Sequence, residues 1–293
     1  MECIFTIDVE DWFHILDVPS APAISSWGSL ASLVEKNFLR LLDLFDEKGV
    51  AATCFFLGWV AEKFPHLVKE ARRRGHEIAS HGYAHRLVYE MGEHAFLQDA
   101  LRARRILEDL GGDAVSGYRS SGFSVTEQTP WFFDALVRAG YRYDSSLFPA
   151  KRSHGGMDGA RCAPYRLGSG PQGLIEFPVT VTPVLGRRLC FFGGGYLRLF
   201  PGLVIRRMAR RVLGEGRPVI FYIHPREIDP HHPRLPMSRG RSFKTYWNLD
   251  STEGKIRSLL SEFRFLTFAR FIAERGHTLA GPNDQERKVS LCR

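Results

Sequence analysis

Short apolar runs alternate with longer amphipathic ones along most of the chain. Stretches rich in Val, Ile, Phe and Tyr at 3–8, 50–57, 77–80, 116–119, 141–144, 174–180 and 218–223 predict buried strands. Between them, apolar residues recur with helical spacing at 30–48, 59–74, 93–110, 127–139, 201–213 and 252–274. Phe96, Ala100, Ala103 and Leu107 form one apolar face of the third helix, which reads as core packing. Strand–helix alternation of this kind predicts an α/β fold with a parallel sheet or barrel. Residues 150–173 and 226–247 lack either period and read as long loops near a site, and 280–293 as a polar tail.

Several strands break into chemically reactive residues at their C-terminal ends, where α/β enzymes keep their chemistry. The first runs Cys3-Ile4-Phe5-Thr6-Ile7 and then meets Asp8, Glu10 and Asp11. Three acids at the mouth of a buried strand repel one another unless a cation neutralises them. The third strand runs into His81 and His85, four residues apart, a spacing that one helical turn aims at a single metal ion. Two imidazoles and one carboxylate make a site with open positions, suited to catalysis. The strand 218–223 ends in His224, whose imidazole suits proton donation to a leaving amine.

Taken in order, Thr6-Ile7-Asp8, His81-x3-His85, Arg119, Asp144-Ser145-Ser146 and Ile223-His224 resemble the polysaccharide deacetylase family. This is the NodB-homology group, carbohydrate esterase family 4. The opening Asp8-Val9-Glu10-Asp11-Trp12 is similar to its bacterial exopolysaccharide-locus branch. The likeness extends through Glu176-Phe177-Pro178, Gly193-Gly194-Gly195-Tyr196, Arg226-Glu227-Ile228-Asp229-Pro230 and Asn248-Leu249-Asp250. It implies a distorted (β/α)7 barrel and a single catalytic domain over 1–293. Asp8 matches the general base, Arg119 the arginine that orients it, and His224 the general acid. His81 and His85 match the metal's imidazole ligands. The family's adjacent aspartates are interrupted here by Val9, so the carboxylate ligand is Glu10 or Asp11. Relatives with an Asp-Val-Asp pattern favour Glu10, and side chains two apart share a strand face. Arg119-Ser120-Ser121 stands where relatives carry Arg-Ala-Pro, which implies altered substrate fit.

The implied activity is metal-dependent removal of N-acetyl groups from an amino sugar in a bacterial surface polysaccharide or its lipid-linked precursor. The alternatives are another amide (deformylase- or allantoinase-like chemistry) and a catalytically inactive carbohydrate-binding component. The ligand types suit Zn, with Co, Ni and Mn compatible. Tyr196, Asp144 and Trp247 are candidate substrate contacts.

At 293 residues, with 44% hydrophobic and 25% charged residues, the chain has the makeup of one large globular domain. Five scattered Cys suggest no disulfide framework and a reducing compartment. No stretch reaches the ~20 apolar residues of a membrane span. The first strand carries candidate catalytic groups, so it reads as mature sequence and the expected location is cytoplasmic. The net charge of +8 and the cluster Arg206, Arg207, Arg210 and Arg211 beside Leu199 and Leu203 suggest peripheral contact with an anionic membrane. No nucleic-acid-reading motif is present.

Overall fold

The computed structural model describes residues 2–150, 152, 155–168 and 173–279. The polar tail, with Cys292, and part of the 150–173 loop lie outside them. The strands are β1 (Cys3–Val9), β2 (Thr53–Phe56), β3 (Glu77–Ser80), β4 (Gly117–Tyr118), β5 (Tyr143–Asp144), β6 (Tyr165–Arg166), β7 (Ile175–Glu176), β8 (Thr182–Val184), β9 (Arg187–Leu189), β10 (Val219–Ile223) and β11 (Phe265–Leu266). The helices are α1 (Val34–Glu47), α2 (Gly58–Lys63), α3 (Pro65–Arg73), α4 (Glu93–Gly111), α5 (Phe132–Arg138), α6 (Gly194–Leu199), α7 (Gly202–Gly214), α8 (Arg239–Tyr246), α9 (Thr252–Glu262) and α10 (Phe268–Arg275).

One sheet runs β10-β1-β2-β3-β4-β5-β7-β6, parallel except for the terminal β6. β11 joins it beside β1. It forms the wall of a distorted (β/α) barrel. Strand parity assigns the two faces. On β1, Cys3, Phe5, Ile7 and Val9 pack outward in the main cluster with α1, α3 and α4. Ile4 points inward with Phe55, Ile220 and Leu266, and Phe268 and Phe271 of α10 plug this interior. Thr6 and Asp8 share Ile4's parity, so the inner face changes from apolar to polar towards the strand's C-terminal end. A site at the open mouth follows from that gradient.

Among the described residues no ladder joins β7 to β10. Thr180 spans the gap instead: its buried hydroxyl oxygen accepts the Ile220 N–H at 2.9 Å and its O–H reaches the Pro218 carbonyl at 3.5 Å.

The seven expected strands form. The expected helix 59–74 divides at Phe64-Pro65, because proline disfavours helical geometry at the residue before it and starts α3 afresh. The expected helix 252–274 divides as well. Phe265 and Leu266 pair with Cys3 and Ile4, an edge of β1 that β2 leaves open because it begins opposite Thr6. Thr267 then caps α10 by accepting the Arg270 N–H. α6, α8 and the β8–β9 hairpin occupy stretches that the sequence pattern left as loop or ambiguous.

Thr180→Val keeps the side-chain shape and strands the buried Ile220 N–H. It should lower unfolding stability by about 1–3 kcal/mol in urea titrations; an unchanged midpoint would show that the hydroxyl does not close the barrel.

Candidate active site

Glu10 follows directly on β1, and its N–H turns back to the Asp8 carbonyl at 2.9 Å. This bend sends both carboxylates into the mouth of the barrel. Glu10 Oε1 lies 3.0 Å from His81 Nε2 and 2.9 Å from His85 Nε2, and Oε2 accepts from Arg226 Nη1 at 3.0 Å. Burial alone would push the Glu10 carboxyl up, but His85, His224 and His81 hold it well below the usual range.

The two histidines do not share a helical turn, as their spacing had suggested. His81 is the first residue after β3, and His85 lies in the following loop at a left-handed φ of 50°. Such a backbone is costly for a residue with a Cβ, and it turns the His85 ring back to the cluster. His81 Nδ1 lies 2.8 Å from the Arg119 carbonyl. With an N–H donated there, the neutral ring is left with Nε2, beside Glu10, as the nitrogen able to ligate a cation. His85 Nε2 makes no hydrogen bond of good geometry despite its closeness to Glu10. Two imidazole nitrogens crowded around one carboxylate oxygen suit a shared divalent cation, and the ligand atoms of Glu10, His81 and His85 all lie within 4.8 Å of one another. The donor set fits the metal.

Asp11, the other carboxylate left open by the sequence, is not brought to the imidazoles. It accepts from the Leu33, Val34 and Trp12 N–H groups and the Ser32 hydroxyl, so it caps the start of α1.

Asp8 Oδ1 accepts from Arg119 Nη1 at 2.7 Å, and both side chains are buried. The guanidinium also donates to Thr6 Oγ1 at 2.7 Å and to the Ser145 carbonyl and hydroxyl at 3.3 and 3.2 Å. His224 Nε2 stands opposite, 3.9 Å from Asp8 Oδ2 and 3.7 Å from Glu10 Oε1. A cleft of about 530 Å³ opens over these groups. Tyr196 and Trp247 are exposed on its wall, with the Phe243 ring tilted against Trp247 at 4.9 Å between ring centroids. Gly193 pairs with Tyr222 so closely that a Cβ there would sit 2.1 Å from the tyrosine ring, and this contact places Tyr196 one turn later.

Asp144, expected to touch substrate, does not line the cleft. It is buried on β5, takes both donors of Ser146 at 2.6 and 3.2 Å, and faces Glu176 across the β5–β7 ladder. Burial lifts both carboxyls, Asp144 to about 6 and Glu176 well above its ordinary value, the latter helped by the Asp144 charge.

Sequence reasoning assigned no role to Arg226 on Glu10, to the buried Arg198–Glu227 ion pair, or to His14, whose Nδ1 accepts the Asp11 N–H at 2.9 Å at the cleft's edge. Arg226 and Glu227 are two and three residues beyond His224, and that proximity was the available signal. The basic face of α7 is largely paired: Arg206 and Arg210 meet Glu262 of α9, and Arg211 meets Glu215.

The polysaccharide deacetylase model matches residues 29–143, and a domain of unknown function (DUF3473) matches 145–273. Residues 29–143 of this chain are thus similar to the polysaccharide deacetylase family. Both matched segments contribute strands to the one sheet. Among curated relatives, the peptidoglycan-N-acetylglucosamine deacetylase of Bacillus cereus is 36% identical over 93 residues, 31% of this chain and 34% of that protein. The peptidoglycan deacetylase of Helicobacter pylori is 32% identical over 139 residues, 47% and 46% of the two chains. This chain thus spans a third to a half of the curated relatives it matches. A candidate polysaccharide deacetylase from Mycobacterium smegmatis shares the fold with a TM-score of 0.58 at 23% identity, covering 94% and 91% of the chains. An allantoinase (Puue) does so at 0.61 and 18% identity, covering 94% and 90%.

Glu10→Gln should lower metal stoichiometry, measured by elemental analysis, whereas Asp11→Asn should keep the metal and lower the melting temperature. Retention of metal by Glu10→Gln would remove it from the ligand set. The raised Asp144–Glu176 pair binds protons that the unfolded chain releases. Its stabilisation is therefore present in acid and declines as pH rises from about 4 through about 6 and beyond. Asp144→Asn should flatten that decline in denaturant titrations across this range.

Proposed function

We propose that this chain is a metal-dependent N-deacetylase that hydrolyses the acetamide of N-acetylated amino sugars in a bacterial surface polysaccharide or its lipid-linked precursor. The observation that carries the reading is the buried Glu10–His81–His85 cluster, flanked by Asp8 on Arg119 and by His224. Glu10, His81 and His85 would hold a divalent cation, Zn or else Co, Ni or Mn, which would supply Lewis-acid chemistry to the acyl carbonyl and the water.

The chain's own groups divide the proton work. Asp8, fixed by the Arg119 guanidinium, takes a proton from the attacking water. His224 gives one to the departing amine as the carbon–nitrogen bond breaks, and acetate leaves. The aromatic wall of Tyr196, Trp247 and Phe243 offers flat apolar faces to sugar rings. Among the described residues, the buried free thiols Cys3, Cys54 and Cys190 fit a reducing compartment and support a cytoplasmic location. Exposed Leu199 at the end of α6 and Leu203 in the first turn of α7 support contact at the membrane's inner face, although most of the neighbouring arginines are internally paired.

Acetate release from N-acetylglucosamine oligomers tests the activity. Asp8→Asn and His224→Ala should each reduce turnover by about 10²–10⁴-fold with circular dichroism unchanged. Chelation should abolish activity, and Zn or Co restore it. Undiminished turnover in either variant would refute its role. Release from a formyl amide or a ureide instead of the acetamide would move the reading to another amidohydrolase.

A further inference from the structure

His224 presents two ring nitrogens to two different environments. Nε2 faces Asp8 and Glu10. Nδ1 is buried, lacks a hydrogen bond of good geometry, and lies 3.5 Å from Glu227 Oε2. The same oxygen accepts the His224 backbone N–H at 3.2 Å, so one carboxylate addresses both the backbone and the ring of the residue three positions before it. The other Glu227 oxygen is ion-paired with Arg198, and both side chains are buried. Burial alone would raise the Glu227 carboxyl, but Arg198 and His224 hold it well below the ordinary range. Arg198 also donates to the carbonyls of Lys244, Thr245 and Trp247, at 3.0, 2.9 and 3.2 Å. These residues lie at the end of α8, on the cleft's aromatic rim.

We propose that Glu227 and Arg198 are positioning residues for His224: Glu227 accepts the Nδ1–H and leaves Nε2 as the nitrogen that gives its proton to the leaving amine, while Arg198 locks Glu227 and ties the acid to the rim. Nδ1 keeps its proton throughout and Glu227 stays a carboxylate. The inference rests on the reading of His224 as general acid.

Glu227→Gln provides the test. Arg198, the charged donor, claims the new amide's oxygen; the NH2 group then faces Nδ1 and makes it an acceptor, and the His224 backbone N–H loses its acceptor. The neutral His224 tautomer then shifts from Nδ1–H to Nε2–H, as when an asparagine replaces the aspartate of a catalytic triad. Nitrogen-15 shifts of His224 in the full chain report the tautomer without any turnover. In parallel, the zinc-loaded variant is assayed on an N-acetylated chitooligosaccharide and on p-nitrophenyl acetate, whose phenolate leaves without a proton. The expected result is a flipped tautomer, with amide kcat down about 10²-fold, KM nearly unchanged and ester turnover nearly intact. Arg198→Lys, which keeps the charge and loses the fork, should shift both readouts the same way and less. An unchanged tautomer, or equal losses on amide and ester, would overturn the assignment. Absence of amide turnover in the unmodified protein would instead count against the deacetylase reading, and the tautomer would still decide this one.

Discussion

A buried arginine holds the centre of this structure together. Arg119 has no exposed surface, so its charge must be met inside the protein. Asp8 meets it, Thr6 and Ser145 take its remaining donors, and its own carbonyl orients His81. Its guanidinium lies over the Phe55 ring at 4.2 Å, above the apolar part of the barrel interior. One residue therefore links the candidate base to a candidate metal ligand and marks where the core gives way to the site. Removing it would leave an unpaired carboxylate in low dielectric, which costs more than the pair itself contributes.

Around that centre, each charged group of the cleft floor has an internal partner. Glu10 has Arg226, Asp8 has Arg119, and Glu227 has Arg198. Buried charges held this way keep their positions, and preorganised charge is what a hydrolytic site needs at the moment its transition state forms. The arrangement also separates two kinds of acid. Asp8, Glu10 and Glu227 face cations. Asp144 and Glu176 face each other, and burial raises both carboxyls. The first group serves the cleft and the second serves the wall behind it.

The strands were legible because a buried parallel sheet writes itself as apolar runs, and the site because reactive residues ended several of those runs. Asp8, His81 and His224 converge as their strand-end positions implied, and the loop after β3 adds His85. The division of the last predicted helix was not legible, since Phe265 and Leu266 are as apolar as a helix face and become a strand only because β1 has an open edge. Asp144 looked like a site residue because it too ends a strand. Its side chain turns into the wall, where a partner on the neighbouring strand decides its state.

The sequence by itself determined the alternation of strands and helices, the family resemblance, and the set of groups proposed to carry out hydrolysis, because each of these is written in local order and spacing. Tertiary structure alone decided that Glu10 rather than Asp11 meets the imidazoles. The choice depends on a turn after Val9 and on the unsatisfied N–H groups at the start of α1, more than twenty residues away, which claim the second carboxylate. It also decided the partners of His224, because Arg198 reaches Glu227 only once α6 and β10 are packed together. Contacts between distant segments carry no periodicity, and only the folded chain states them.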